Sequence, residues 1–238
     1  MAIERTHEPK QRVLATLPPD GSAGRTVYAN PGDALSLTAV IDPDDAARLE
    51  EIAAASDTGS VLFEHAGGVT LVVPPFRLDR DGAFDEVHVA PLVESLERQR
   101  AYAVFLLRLG GFAVGFFRGN KLVDSKVDQR FVKNKHRKGG QSSTRFARIR
   151  DKQVHELFEK ACETSHEKLT PYDDEIEHVL LGGDRRTLLA FRKECSYFER
   201  FGDRLLSRIL AAHGDPRLAM LESMPREVTS SDVYTVST

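Results

Sequence analysis

Two glycines and a glutamine, Gly139-Gly140-Gln141, stand between a cationic run, Lys133-Asn134-Lys135-His136-Arg137-Lys138, and the segment Ser142-Ser143-Thr144-Arg145-Phe146-Ala147-Arg148-Ile149-Arg150. Adjacent glycines open backbone conformations closed to other residues and let the main chain approach a ligand with no side chain in the way. The glutamine adds one neutral amide that both donates and accepts. Freed N–H groups and such an amide suit hydrolysis of an ester at the end of an RNA strand, where a water must be placed and a developing oxyanion stabilised. Gln141 is not basic enough to act as a general base, so proton transfer would pass through water or a ribose hydroxyl. Lys133, Lys135, His136, Arg137, Lys138, Arg145, Arg148 and Arg150 form a collar fit for phosphates. A Gly-Gly-Gln triplet arises by chance in roughly one chain of this composition in forty, so its surroundings must carry the reading.

Those surroundings are segregated in charge. The whole chain of 238 residues has a formal net charge of −3. Between Arg118 and Lys152, however, twelve Lys/Arg face three acids, leaving the remainder at −12. Such segregation says more about partners than the mean does. After the tripeptide, Phe146, Ile149, Val154, Leu157, Phe158, Ala161 and Cys162 recur at helical spacing and predict a long helix. Before it, Tyr102–Leu109, Phe112–Phe117 and Lys121–Val127 read as three strands joined by Gly110-Gly111 and Gly119-Asn120. Ile176–Leu181 reads as a buried strand followed by a helix that Asp184 caps, and Phe198–Ala212 and Pro216–Met224 as two amphipathic helices.

The first part of the chain reads as a small α/β domain, residues 1–98, ahead of a catalytic α/β domain, residues 99–238. Residues 1–25 are polar and turn-prone and are expected to be loosely held. A strand is expected at Ala34–Val40, a helix after the Asp42-Pro43 cap, and a hairpin from Ser60–Glu64 and Val69–Val73. The Ser/Thr-rich end, Thr229–Thr238, is expected to fray. No apolar run approaches the ~20 residues of a membrane span, and the N-terminus lacks the apolar core of a signal peptide. Cys162 and Cys195 have no CxxC spacing, so a disulfide is not expected, Cys162 reads as buried packing, and a cytoplasmic setting fits. The histidines at 155, 166 and 178 have no metal-ligand spacing, and no cofactor is implied. Asp124, Asp128 and Glu156 are of the residue type that nucleases use, but a fold alone does not imply a metal site, and none is expected. Phe112, Phe116 and Phe117 either stack on bases or fill the core.

The run Lys-His-Arg-Lys-Gly-Gly-Gln-Ser-Ser-Thr-Arg-Phe-Ala-Arg-Ile-Arg, followed by a helix with His155 and Glu156, resembles the middle domain of the archaeal and eukaryotic class-1 translation release factors. The resemblance extends, more faintly, over roughly residues 100–228. It implies a mixed, RNase-H-like sheet with a long helix after the loop. It also implies that Gly139, Gly140 and Gln141 enter the peptidyl-transferase centre of the large ribosomal subunit and hydrolyse peptidyl-tRNA. Arg145, Arg148, Lys135 and Lys138 would hold rRNA or tRNA phosphates. Neither membrane nor DNA is an expected partner.

Two departures shape the expectation. The Asn-Ile-Lys-Ser and Tyr-x-Cys-x-x-x-Phe motifs that read stop codons in that family do not occur here, and the chain is expected to lack the family's C-terminal domain. The layout resembles the shortened bacterial and ribosome-quality-control branch. The expected role is release of nascent chains from stalled ribosomes without a stop codon. The alternatives are a nuclease cutting the tRNA acceptor end and a non-catalytic ribosome- or tRNA-binding module.

Overall fold

A computed structural model of the protein describes residues 3–39, 41–130, 132 and 141–237. The chain divides into two units, residues 1–98 with 226–238, and residues 99–225.

The first unit opens with β1 (Glu4–Glu8), α1 (Lys10–Thr16) and β2 (Gly24–Ala29), where the sequence led us to expect loose chain. Val13 and Tyr28 are buried in its core, and that burial orders an otherwise polar segment. α2 (Pro43–Ala54) starts as expected: the Asp42 carboxylate accepts from the Asp44 N–H and Pro43 takes a position whose N–H the helix does not need. The hairpin β3 (Ser60–His65) and β4 (Gly68–Val73) follows, then the short β5 (Gly82–Phe84) and α3 (Ala90–Glu97). The strand expected over Ala34–Val40 does not form across its described residues, and Val40 lies outside them. The N–H groups of Thr38 and Ala39, which a neighbouring strand would need, donate instead to the buried Glu64 carboxylate at 2.5 and 2.9 Å. Desolvation pushes that carboxyl up, but the Thr38 and Ala39 hydrogen bonds and Arg25 outweigh it and hold its pKa below the usual range.

In the second unit, β6 (Ala101–Arg108), β7 (Gly111–Arg118) and β8 (Lys121–Gln129) form the expected antiparallel meander. α4 (Gln141–Leu169) is the long helix, and β9 (His178–Gly183) returns parallel to β6. α5 (Arg185–Glu194) follows at once. Then the chain departs from expectation. Phe198–Ala212 is not one amphipathic helix: Tyr197–Arg204 is 3₁₀-helical, and β10 (Leu205–Leu210) pairs parallel with β9. Gly202, at φ +52, breaks the helical run, and the free edge of β9 supplies hydrogen bonds to Leu205–Leu210. The sheet order β10-β9-β6-β7-β8 is the mixed α/β arrangement that the resemblance implies.

β6 and β9 are apolar almost throughout because both faces of the sheet are covered. On one face Phe105, Phe112, Phe158, Phe191 and Phe198 pack together beneath α4 and α5. Phe105 stacks on Phe191 at 5.0 Å. On the other face α6 (Leu218–Val228) lies over Gly115, where a Cβ would come within 2.8 Å of Leu221. A Cβ there would force the ends of the Leu122 and Leu221 side chains to move, so glycine allows the close approach. Phe112, Phe116 and Phe117 are therefore core, not base-stacking platforms.

The last segment corrects the expected frayed tail. Ser231–Ser237 is β11, inserted between β1 and β4 to give the six-stranded order β1-β11-β4-β3-β2-β5. Alternation sends Val233 into one core of the first unit and Val236 into another. The cysteines correct a second expectation. Cys162 of α4 and Cys195, at the end of α5, form a disulfide closing a 33-residue separation. Linear spacing hid the pair, because it is the placement of α4 and the end of α5 in the tertiary fold that brings the two together. Cysteine usage thus no longer argues for a reducing compartment. Among the described residues, no helix is long and apolar enough to cross a membrane.

Reducing this disulfide should lower the stability of the second unit by about 3–4 kcal/mol, the loop-closure value for such a separation. Denaturant titrations with and without a phosphine reductant check this. Deleting residues 229–238 should cost the first unit at least ~3 kcal/mol through loss of Val233 and Val236, read as an earlier unfolding transition on truncation.

Candidate functional site

The site is organised by one helix. α4 has 29 residues and is therefore ~43 Å long, whereas an eight-residue strand such as β6 spans ~27 Å. Its C-terminal half is fastened. Leu157, Phe158, Ala161 and Leu169 are buried in the sheet-facing core, and Lys168 Nζ lies 3.1 Å from the Asp124 carboxylate of β8. Toward the N-terminus the burial thins: Val154 still packs against the core, but from Arg145 to Glu156 no side chain is fully buried, and full burial begins at Leu157. The helix consequently outreaches the sheet at the end where β8 finishes.

That direction follows from strand register. Gln129 at the end of β8 pairs with Gly111, Gly111 with Arg108, and the neighbouring Leu107 with Gly183 at the end of β9. Gly183, at φ +124, abuts the Leu107 carbonyl so closely that any Cβ would collide with it. These residues mark one end of the sheet. α4 leaves that end and returns to the opposite one, where Glu177 N–H donates to the Ala101 carbonyl.

Of the sequence candidates, Gln141 is the first residue of α4. Its N–H therefore belongs to the group at a helix start that the intrahelical ladder leaves unused. Gly139, Gly140, Lys133, Lys135, His136, Arg137 and Lys138 lie outside the described residues. Arg145 and Arg148 are exposed and Arg150 is half-buried. Arg145, Arg148 and Lys152 recur at i, i+3 and i+7, one stripe on the face opposite Leu157 and Ala161. Among the described residues, neither Arg145 nor Arg148 forms an ion pair, whereas Lys152 sits 3.6 Å from Glu156. Farther along the same stripe the charge reverses, with His155, Glu156, Glu159 and Glu163. His155 Nδ1 lies 2.7 Å from the Glu194 carboxylate, whose hydrogen bond and charge raise its pKa. This exposed pair between α4 and α5 is thus ionic at mildly acidic pH and weakens as pH rises through the raised value.

The nuclease-type carboxylates are occupied separately: Asp124 with Lys168, Asp128 with Arg130 and Glu156 with Lys152. Among the described residues no group of three or more His, Cys, Asp or Glu side chains is placed to hold a metal ion. Sequence reading passed over Arg108, Arg185 and Arg186, which topology brings to the α4 end of the sheet. The signal available was Arg185-Arg186 directly after the Asp184 cap. The link to the site is visible only in strand register.

A family model described as Actinobacteria/chloroflexi VLRF1 release factor matches residues 100–234. Peptide chain release factor subunit 1 of Archaeoglobus fulgidus is 35% identical over 115 residues, 48% of this chain and 28% of that protein. Its counterpart from Picrophilus torridus is 29% identical over 100 residues, 42% and 24% of the two. The chain thus spans about a quarter of the length of these curated relatives. Among solved structures, the archaeal translation termination factor aRF1 overlaps 86% of this chain and 66% of its own, with a TM-score of 0.38 and 18% identity. The Vms1 mitochondrial localization core overlaps 82% and 85%, with a TM-score of 0.40 and 9% identity.

Like charges at i,i+3 and i,i+4 destabilise a helix by about 0.2–0.5 kcal/mol per pair. Replacing Arg145 and Arg148 by glutamine should therefore leave thermal stability unchanged or slightly raised. The same change should weaken polyanion binding and shrink its log–log salt slope by ~1–2. Heparin-column elution and a salt-titrated RNA-binding assay read the two effects.

Proposed function

Because the chain belongs to the Actinobacteria/chloroflexi VLRF1 release factor family, we propose that it is a peptidyl-tRNA hydrolase acting on the ribosome. Gly139-Gly140-Gln141 is the proposed catalytic tip, entering the peptidyl-transferase centre to release nascent chains in ribosome rescue. The observation that carries this reading is the position of Gln141 at the start of a helix that outreaches its own sheet. A tip borne on such a helix reaches into a crowded RNA cavity while the folded body stays outside.

The chemistry follows from the groups available. The Gln141 N–H, unused by the helix, donates to the oxyanion formed as water attacks the ester carbonyl. The side-chain amide of Gln141 orients that water, and the two glycines keep the tip narrow enough for close approach. The leaving ribose oxygen is protonated through water or a neighbouring hydroxyl, since no residue of the tip is a strong base. Arg145 and Arg148, with the collar Lys133, Lys135, His136, Arg137, Lys138 and Arg150, hold rRNA or tRNA phosphates. Release proceeds without a stop codon, consistent with a first unit that lacks the decoding motifs.

The test is peptide release from ribosome-bound peptidyl-tRNA, with and without a stop codon in the decoding site. Gln141→Ala and Gly140→Ala should each slow release by about 10²–10³-fold, the cost of losing a positioned donor. An unchanged rate would remove the tip from the mechanism. Mapping the tRNA 3′ end after reaction should show an intact CCA terminus; a shortened end would assign cleavage of the tRNA instead.

A further inference from the structure

We infer that the exposed face of α5, carrying Arg185 and Arg186, is a second RNA-backbone contact that docks the body of the second unit while α4 presents the tip. The inference rests on the functional reading above and extends it to residues outside the helix that bears the tip.

Three observations converge on this face. The first is placement. α5 starts where β9 ends, at the same end of the sheet from which α4 projects. Both helices run away from that end, and they meet near the end of α5 through the His155–Glu194 contact, the Phe158–Phe191 ring pair at 5.5 Å and the Cys162–Cys195 disulfide. Both arginine-rich beginnings therefore lie toward the same end.

The second observation is charge against stability. Arg185 and Arg186 occupy the first turn of α5, where the helix dipole favours anions and no acidic residue is present. Asp184, the cap, is already engaged: Thr187 N–H and Oγ1 donate to it at 2.9 and 2.7 Å, and these bonds hold its carboxyl below the usual range. Arg108, fixed to the carbonyls of Gly214 and Ala212 at 3.2 and 3.5 Å, adds a further cation at this end of the sheet. Asp184 is the acid that Arg186 and Arg108 face. Two cations at a helix start cost stability unless an anion sits on them, and Arg offers the bidentate fork that a phosphate oxygen pair matches.

The third observation is the shape of the face. Leu188 and Phe191 are buried, while Arg185, Arg186, Leu189, Ala190 and Lys193 are exposed, Leu189 at 49%. Cations here flank an apolar side chain rather than carboxylates. Residues 99–225 hold 24 Lys/Arg and 17 Asp/Glu, a net +7, whereas the first unit holds nine and nineteen, a net −10. Residues 118–152 supply +9 of that total and the rest of the unit is −2, so the cations of α5 are a local feature: Arg185, Arg186 and Lys193 on one exposed face.

The experiment is equilibrium binding of the full chain to deacylated tRNA and, separately, to large ribosomal subunits, titrated with salt. Three double or single variants are compared with the wild type: Arg185→Ala with Arg186→Ala, Arg185→Lys with Arg186→Lys, and Arg80→Ala, a charge removed from the first unit. The alanine pair should weaken binding to at least one of the two probes by tenfold or more near 150 mM salt and reduce the salt slope by ~1–2. The lysine pair should recover most of the slope but only part of the affinity, and Arg80→Ala should match the wild type. Unchanged affinity and slope for the alanine pair with both probes would overturn the inference. So would an equal loss of binding to poly-glutamate, which would assign the face to an acidic protein. Thermal midpoints confirm that every variant is folded. Failure of the catalytic reading stays distinguishable: a wild-type chain that releases no peptide yet loses RNA affinity with the alanine pair would retain this contact and remove the hydrolase.

Discussion

Everything distinctive about the second unit depends on α4 being deeply buried toward its C-terminal end and only partly buried from Arg145 to Glu156. Leu157, Phe158, Ala161 and Leu169 bury against β6–β8, and the disulfide to Cys195 ties the same stretch to α5. A helix so held transmits position along its own hydrogen-bonded backbone. Its far end can stand beyond the sheet without deep burial. The proposed chemistry needs a narrow tip at a fixed distance from a broad body, and an anchored helix supplies that with no further support.

Electrostatics then divides the labour. The projecting stripe of Arg145, Arg148 and Lys152 gives way to Glu156, Glu159 and Glu163 on the same face, so the helix is cationic where it projects and anionic where it is anchored. The two units repeat that division at larger scale, with opposite net charges in one chain. A polyphosphate partner is attracted to one unit and repelled by the other. The first unit carries neither the Asn-Ile-Lys-Ser nor the Tyr-x-Cys-x-x-x-Phe motif, and its net charge of −10 is a poor match for RNA, which fits the proposal of release without decoding.

Much of this was legible in the sequence, and the failures share a cause. The meander, the long helix, the Asp42 and Asp184 caps and the β3–β4 hairpin were readable because each is specified by neighbours within a few residues. β10 was mistaken for part of a helix because Leu205, Leu206, Ile209 and Leu210 fit helical spacing, while their strand pairing to β9 is supplied by a distant segment. The Ser/Thr-rich tail is an ordered strand for the same reason: β1 and β4 on either side provide the hydrogen bonds that its composition does not advertise. Residues 34–39 lost a strand to Glu64, a buried carboxylate that competes successfully for their N–H groups.

The sequence by itself determined the chemical vocabulary of the site: two glycines, one amide and a concentration of arginines, all within one short stretch whose order alone conveys the resemblance. Tertiary structure decided what lies beside that stretch. It set the reach of α4 beyond the sheet, the pairing of Cys162 with Cys195, and the arrival of Arg108, Arg185 and Arg186 at the same end. The physical reason is range. Backbone freedom, amide chemistry and helical periodicity act between near neighbours, whereas strand register and burial join residues that the chain itself keeps far apart.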